Sequence, residues 1–266
     1  MSSAAGETPA PGPSFFDDIA RDYDAQMSRV PGDLWMREAF QEFVIRGLAP
    51  GEVVLDFGCG TGVDARVYSE RGFRVIGYDS SVAMTQVAAN RCGTGIGGNL
   101  VEIFSGPYEE FLGRPWSRTP PSAIVSNFAV LNLVPSLRAA FARFHEILQP
   151  GGSVFLSLLN PCYVRNLVTP GLRRLFFRAL RHGITEFPSA KVPTLLYRER
   201  FVRQAAEPFF ALDLRAGVGA VVNHAAIAGS WREPRGWRER IEHRFSSTRV
   251  LAGAGKFTFL KLRRRG

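Results

Sequence analysis

A short apolar run, Val53-Val54-Leu55-Asp56-Phe57, stops at Gly58 and passes through Gly60 and Gly62 into a helical pattern that lasts to Arg71. Strand, glycine turn, helix is the opening unit of an open α/β sheet, and it constrains the fold more than any other segment of the chain. Glycines at such a junction let the backbone turn sharply and approach a ligand, while the free N–H groups of the helix start favour negative charge. A nicotinamide or flavin fingerprint, G-x-G-x-x-G, requires glycine at position 63. The residue there is Val63, so a dinucleotide is disfavoured.

The same rhythm continues downstream. Residues 74–78 (RVIGY), 100–104, 122–126 (SAIVS) and 153–159 (SVFLSLL) have strand character, and residues 82–91 and 137–148 read as helices. Such alternation predicts a parallel sheet covered on both faces. Ahead of it, residues 15–27 (FFDDIARDYDAQM) predict one acidic amphipathic helix, and a second is expected around 34–48, ended by Pro50-Gly51. Past Asn160-Pro161 the pattern changes. Residues 161–205 are arginine-rich and irregular before strand character returns at 209–214 and 256–262, so an insertion precedes the last two strands. The division expected is a disordered tail (1–13, small, polar and proline-rich), N-terminal helices (14–50), a ligand-binding core (51–160), a basic insertion (161–208) and the final strands (209–266).

Charge separates the two halves. Residues 1–160 carry a net −5 and residues 161–266 a net +14, so the halves are expected to face different partners. Cys59, Cys92 and Cys162 stand apart, with no C-x-x-C pair, which predicts neither a disulfide framework nor a metal site. With no secretory leader and no apolar stretch of about twenty residues, a cytoplasmic protein is expected.

The run from Val53 to Gly62 resembles motif I of the class I S-adenosylmethionine (SAM) methyltransferases, and other segments extend the likeness to the small-molecule branch of that superfamily. Asp79 closes the second strand, Leu148-Gln149-Pro150-Gly151-Gly152 is similar to the L-x-P-G-G turn before strand five, and residues 16–24 resemble the lid helix. The resemblance covers about residues 15–160. It implies a Rossmann-like sheet of seven strands with the last antiparallel, helices on both faces, N-terminal lid helices, and SAM as cofactor. It also implies roles. Gly58, Cys59, Gly60 and Gly62 form the loop against the methionine moiety, Asp56 orders that loop and the ammonium, and Asp79 holds the ribose. Ser80 and Met84 border the adenine, Asn127 and Phe128 hold the methionine end, and Tyr23 and Arg37 close over the ligand. Relatives often place an acid after strand three. Here Ser105-Gly106-Pro107 leaves Tyr108 or Glu109 to reach the adenine amino group.

A methyl on a sulfonium is already activated, so catalysis is chiefly alignment, with a base needed for some acceptors. His224, shortly after residues 209–214, is the candidate base. His145, His182 and His243 read as packed or surface residues. Asn160-Pro161-Cys162-Tyr163 reads as a turn. Residues 170–184 predict a basic amphipathic helix with Arg174, Arg178 and Arg181 on one side and Leu172, Leu175, Phe176 and Ala179 on the other. This helix either covers the acceptor pocket or docks to an anionic surface. The expected reaction is O- or N-methylation of a small-molecule or lipid-like acceptor, anionic or carrier-bound acceptors included, in the manner of secondary-metabolite or lipid-tailoring enzymes. RNA methylation is the competing enzyme reading, disfavoured by only three lysines and no RNA-binding module. A non-catalytic SAM-fold scaffold is the other alternative.

Overall fold

Every second residue of the central strands faces the same layer, and this alternation builds the molecule. The computed structural model describes residues 14–93, 101–169, 171–187, 192–222 and 227–266. Five parallel strands, β1 (Val53–Phe57), β2 (Arg74–Asp79), β3 (Val101–Ser105), β4 (Ala123–Ser126) and β5 (Ser153–Leu159), are joined by β8 (Phe210–Val218) and β9 (Phe257–Arg264). Their order is β3-β2-β1-β4-β5-β9-β8. β9 runs antiparallel to both β5 and β8. The seven-stranded, Rossmann-like expectation is met, with β1 and β5 at the bounds read in the sequence and the other strand ends within four residues of theirs.

Val53, Leu55 and Phe57 of β1 join Ile124, Val154, Leu156, Leu158, Leu260 and Leu262 on one face of the sheet. Val54, Val75, Ala123, Val125, Phe155, Phe257 and Phe259 fill the other. Helix α7 (Leu137–Ile147) covers the first face because Leu137, Ala140, Phe141, Phe144 and Ile147 fall on one helical stripe, and Ser136 caps its start by accepting from the Ala139 N–H at 3.2 Å. The second face lies under α3 (Pro31–Ile45), which buries Trp35, Met36, Ala39, Phe40 and Val44. Pro31 occupies the first turn, where its missing N–H costs nothing, and this sets the helix start three residues before the position expected from hydrophobic spacing.

Two further differences lie outside the central sheet. The expected helix at 15–27 is divided into α1 (Ser14–Ile19) and α2 (Tyr23–Ser28), with a turn at Ala20-Arg21-Asp22 between them. The basic insertion is ordered rather than irregular where it is described. It holds α8 (Arg173–His182), a hairpin of β6 (Ile184–Glu186) and β7 (Leu195–Tyr197), and α9 (Glu199–Ala206). Tyr197 and Phe210 are buried in the first core layer, with Phe201 and Phe209 packed against it. These aromatics are therefore part of the core. Residues 1–13 and His224 lie outside the described residues. Among those described, no helix is long and apolar enough to cross a membrane.

Candidate functional site

At the carboxyl ends of β1, β2 and β4 the chain opens into a crevice of about 430 Å³. A parallel sheet places ligands there because the loops leaving its strands diverge and helix starts point into the gap. Its floor is the glycine loop. Gly58, Gly60 and Gly62 have φ of 78, 53 and 77°, in the left-handed region that favours glycine. A Cβ on Gly58 would stand 2.5 Å from the Val130 side chain, whereas one on Gly60 would meet nothing within 4 Å. The loop thus packs tightly behind and stays open in front.

Asp79 ends β2 beside this loop. Its Oδ2 accepts from the Gly60 N–H at 2.8 Å and its Oδ1 from the Ser81 N–H at 2.9 Å. Burial raises its pKa, partly offset by those N–H groups. Asp56 points the other way from β1. It is 2% exposed, and its Oδ2 has no hydrogen-bond partner. Burial, with the nearby Asp64 carboxylate, lifts its pKa well above the usual range.

Asp64, in the first turn of α4 (Val63–Glu70), is the functional-site residue that sequence reasoning missed. Its Oδ2 accepts from Arg37 Nη1 at 2.7 Å and Asn127 Nδ2 at 3.0 Å, and its Oδ1 from Gln41 Nε2 at 2.7 Å. One carboxylate on α4 therefore fixes side chains from α3 and the end of β4. Arg37, expected to face a ligand carboxylate, is held by Asp64 and lies 4.4 Å above the Phe128 ring. Phe128 and Ala129 have φ of 48 and 64°, rare for side-chain-bearing residues, and this kink turns the chain after β4 along the crevice wall. The Phe128 N–H donates to Asn127 Oδ1 at 2.8 Å, and the Ala129 N–H to the Ser157 carbonyl at 3.0 Å, so the conformation is held from both sides.

The N-terminal segment lies across the same opening. Asp24 accepts from Thr61 Oγ1 at 2.6 Å and pairs with Arg91, whose Nε also donates to the Thr61 carbonyl at 2.8 Å. Asp17 accepts from Ser81 Oγ and, at 3.1 Å, from the Ala83 N–H at the start of α5 (Val82–Cys92).

Of the residues singled out in the sequence, Tyr23, Arg37, Gly58, Cys59, Gly60, Asp79, Ser80, Met84, Tyr108, Glu109, Asn127 and Phe128 line the crevice together. Asp56 and Gly62 stand behind the loop. Tyr108 and Glu109 open α6 (Tyr108–Gly113), and the Tyr108 hydroxyl is buried without a partner. Thr61 of the glycine run and Phe16 of the lid-helix segment line it too, as do Val130, Leu133 and Val134, which the sequence had not singled out. The other described histidines are elsewhere. His145 packs against Phe209 and Phe210, His243 lies 4.8 Å from the Trp231 ring, and His182 is exposed at the end of α8. The Tyr163 N–H donates to the Asn160 carbonyl at 3.1 Å, closing a turn at 160–163, and Asn160 Nδ2 donates to the Gly253 and Gly255 carbonyls at 2.8 and 2.9 Å. Among the described residues no cluster of histidine, cysteine and acidic side chains could hold a metal ion.

Residues 23–192 match the model of a methyltransferase domain. The chain is similar to the demethylmenaquinone methyltransferase of Tropheryma whipplei, with 36% identity over 238 residues, 80% of this chain and 90% of that one. A ubiquinone biosynthesis O-methyltransferase of Pseudomonas paraeruginosa is 31% identical over 119 residues, 43% of this chain. The match spans about half (47%) of that relative's length. In structure the chain is similar to the N-methyltransferase NodS of Bradyrhizobium japonicum in complex with S-adenosyl-L-homocysteine, with a TM-score of 0.60 at 10% identity, covering 95% of this chain and 98% of that one.

Proposed function

The chain belongs to the class I SAM-dependent methyltransferases, and from that premise we propose that it methylates a small-molecule or lipid-like acceptor of quinone type. The observation that carries this reading is the shared crevice. Asp79 lines an open crevice floored by the glycine loop, Asp56 lies buried behind that loop with one oxygen lacking a hydrogen-bond partner, and Val130, Leu133 and Val134 supply an apolar wall. Quinone methyltransferases among the relatives support the acceptor class.

The crevice fits a nucleoside joined to an amino acid. A buried carboxylate oxygen without a donor can accept an ammonium, and the space before Gly60 admits a ligand against the backbone. Bound SAM supplies a methyl already activated on a sulfonium. The chain's own groups then bind and align. We assign Asp79 to the ribose hydroxyls, Asp56 to the ammonium, and the backbone of Gly58 to Gly60 to the methionine portion. Arg37, using the donors Asp64 leaves free, takes the carboxylate. Ser80 and Met84 border the adenine, with Tyr108 or Glu109 at its amino group, and Asn127 and Phe128 support the methionine end.

Burial pushes the phenols of Tyr23 and Tyr108 above their ordinary range, so at neutral pH they serve as hydrogen-bond donors and not as bases. His224 is the proposed base for a hydroxyl acceptor. His224→Ala should lower kcat and leave SAM affinity unchanged, whereas an unchanged kcat would remove it from the reaction.

Calorimetry with SAM, followed by mass spectrometry of products from hydroxylated quinone precursors and from RNA offered in parallel, tests the whole reading. A methylated quinone precursor supports it. Tight SAM binding with transfer to RNA alone would overturn the acceptor, and absence of SAM binding would overturn the enzyme.

A further inference from the structure

Helix α10 (Trp237–Phe245) carries an acidic residue in two of its turns, yet its solvent face has none. Glu242 is fully buried and accepts from the N–H groups of Ala220, Val221 and Val222, each at 2.8 Å. Glu239 is 4% exposed and accepts from Ala228, Arg235 and Gly236. With both carboxylates turned inward, Arg238, Arg240 and Arg244 are left outside, and no ion pair to them exists among the described residues. Between them, at a spacing of four, lie Trp237, Ile241 and Phe245, all exposed, Trp237 at 61%. Large apolar side chains aligned on one exposed face and interleaved with arginine are not ordinary surface.

A second element repeats the pattern. Leu175 and Ala179 of α8 are buried as its periodicity requires, but Phe177 and Leu180 stand on the arginine side, exposed with Arg174, Arg178 and Arg181. Val168, 81% exposed, borders the same hollow as Arg173 and Arg174. Glu186 and Glu233 are the nearest acids along the chain and are outnumbered.

We propose that the exposed face of α10, with that of α8 as a second face of the same kind, docks the protein on an anionic lipid surface, through Trp237, Ile241 and Phe245 in the acyl boundary and the arginines among the headgroups. Charge complementarity selects this occupant, since the faces offer cations and no acid. The aliphatic residues select it over nucleic acid. Ile241, Leu180 and Val168 cannot stack on bases or bind phosphate, whereas the headgroup boundary accepts apolar and cationic groups side by side. The inference stands independently of the acceptor's identity.

Flotation of the full chain with phosphatidylcholine vesicles, and with vesicles also containing phosphatidylglycerol, tests it at low and high salt. The expected result is binding to the anionic vesicles alone, weakened by salt. Trp35 and Trp231 are buried and Trp116 half-buried, so a blue shift of tryptophan emission on binding should disappear in Trp237→Phe. Replacing Arg238, Arg240 and Arg244 with Gln should lower the partition coefficient by roughly two orders of magnitude, at about 1 kcal/mol per arginine. Trp237→Ser with Ile241→Ser should abolish flotation while leaving SAM affinity and melting temperature near those of the wild type. No flotation, equal flotation on neutral vesicles, indifference to both sets of substitutions, or binding to RNA in place of vesicles would each overturn the proposal.

Discussion

Asp56 and Asp79 differ in what the protein gives them, and the difference predicts how each variant behaves. Asp79 already receives two N–H groups, whereas Asp56 is buried with one oxygen unanswered. Because burial raises the Asp56 pKa, the folded protein holds a proton that the unfolded chain releases. Stability of the ligand-free protein should therefore fall as pH rises from the ordinary carboxylate range through the raised value. In Asp56→Asn that fall should be reduced while SAM affinity drops, as read by thermal melts across pH and by calorimetry. Asp79→Ala should weaken SAM binding by roughly 10- to 100-fold, the loss expected for charge-assisted hydrogen bonds of about 1.5–3 kcal/mol, with little change in fold. Gly58→Ala should instead lower stability by about 1–3 kcal/mol, from a strained φ and a clash with Val130, visible as a lower melting temperature.

Individual elements were legible in the sequence where a single local pattern decides them. The glycine loop, its preceding strand and Asp79 are local signals, and together with the positions the family resemblance marked elsewhere they supply twelve residues that line one crevice. Asp64 was not legible. In the chain it is an acid in a helix's first turn, which a dipole argument explains fully, and only folding brings Arg37, Gln41 and Asn127 to it. The break between α1 and α2 escaped for a similar reason. Ala20, Arg21 and Asp22 continue a helical pattern, and it is the contacts of Asp17 with α5 and of Asp24 with the glycine loop that bend the segment. The exposed Phe177 shows the converse, since spacing alone assigned the arginines to one side of α8 without revealing which apolar residues share it. Packing on the covered side of the sheet gives a plain prediction for this scale. Phe144→Ala should cost about 3–5 kcal/mol, because the ring is fully buried and touches Phe57, Phe111 and Phe141. Denaturant unfolding measures it.

Across the whole molecule, the charge division seen in the sequence becomes a division of surfaces. The acidic half supplies the carboxylates that surround the crevice, and the basic half supplies the arginines of α8 and α10. Ligand binding should couple to global stability, since the crevice gathers groups from α1 to α6, two strands and the turn after β4. At a hundredfold excess over Kd, SAM should stabilise the fold by about 2.7 kcal/mol, which for a chain of this size is a rise of roughly 5–10 °C in melting temperature. The bent N-terminal segment adds a kinetic side to this coupling. Asp24 ties that segment to Thr61 and Arg91; if the cofactor binds beneath it, release of the by-product is expected to wait on that tie and to pace turnover under saturating acceptor. The demethylated cofactor would then act as a lingering inhibitor whose residence time shortens when Asp24 is replaced by Asn.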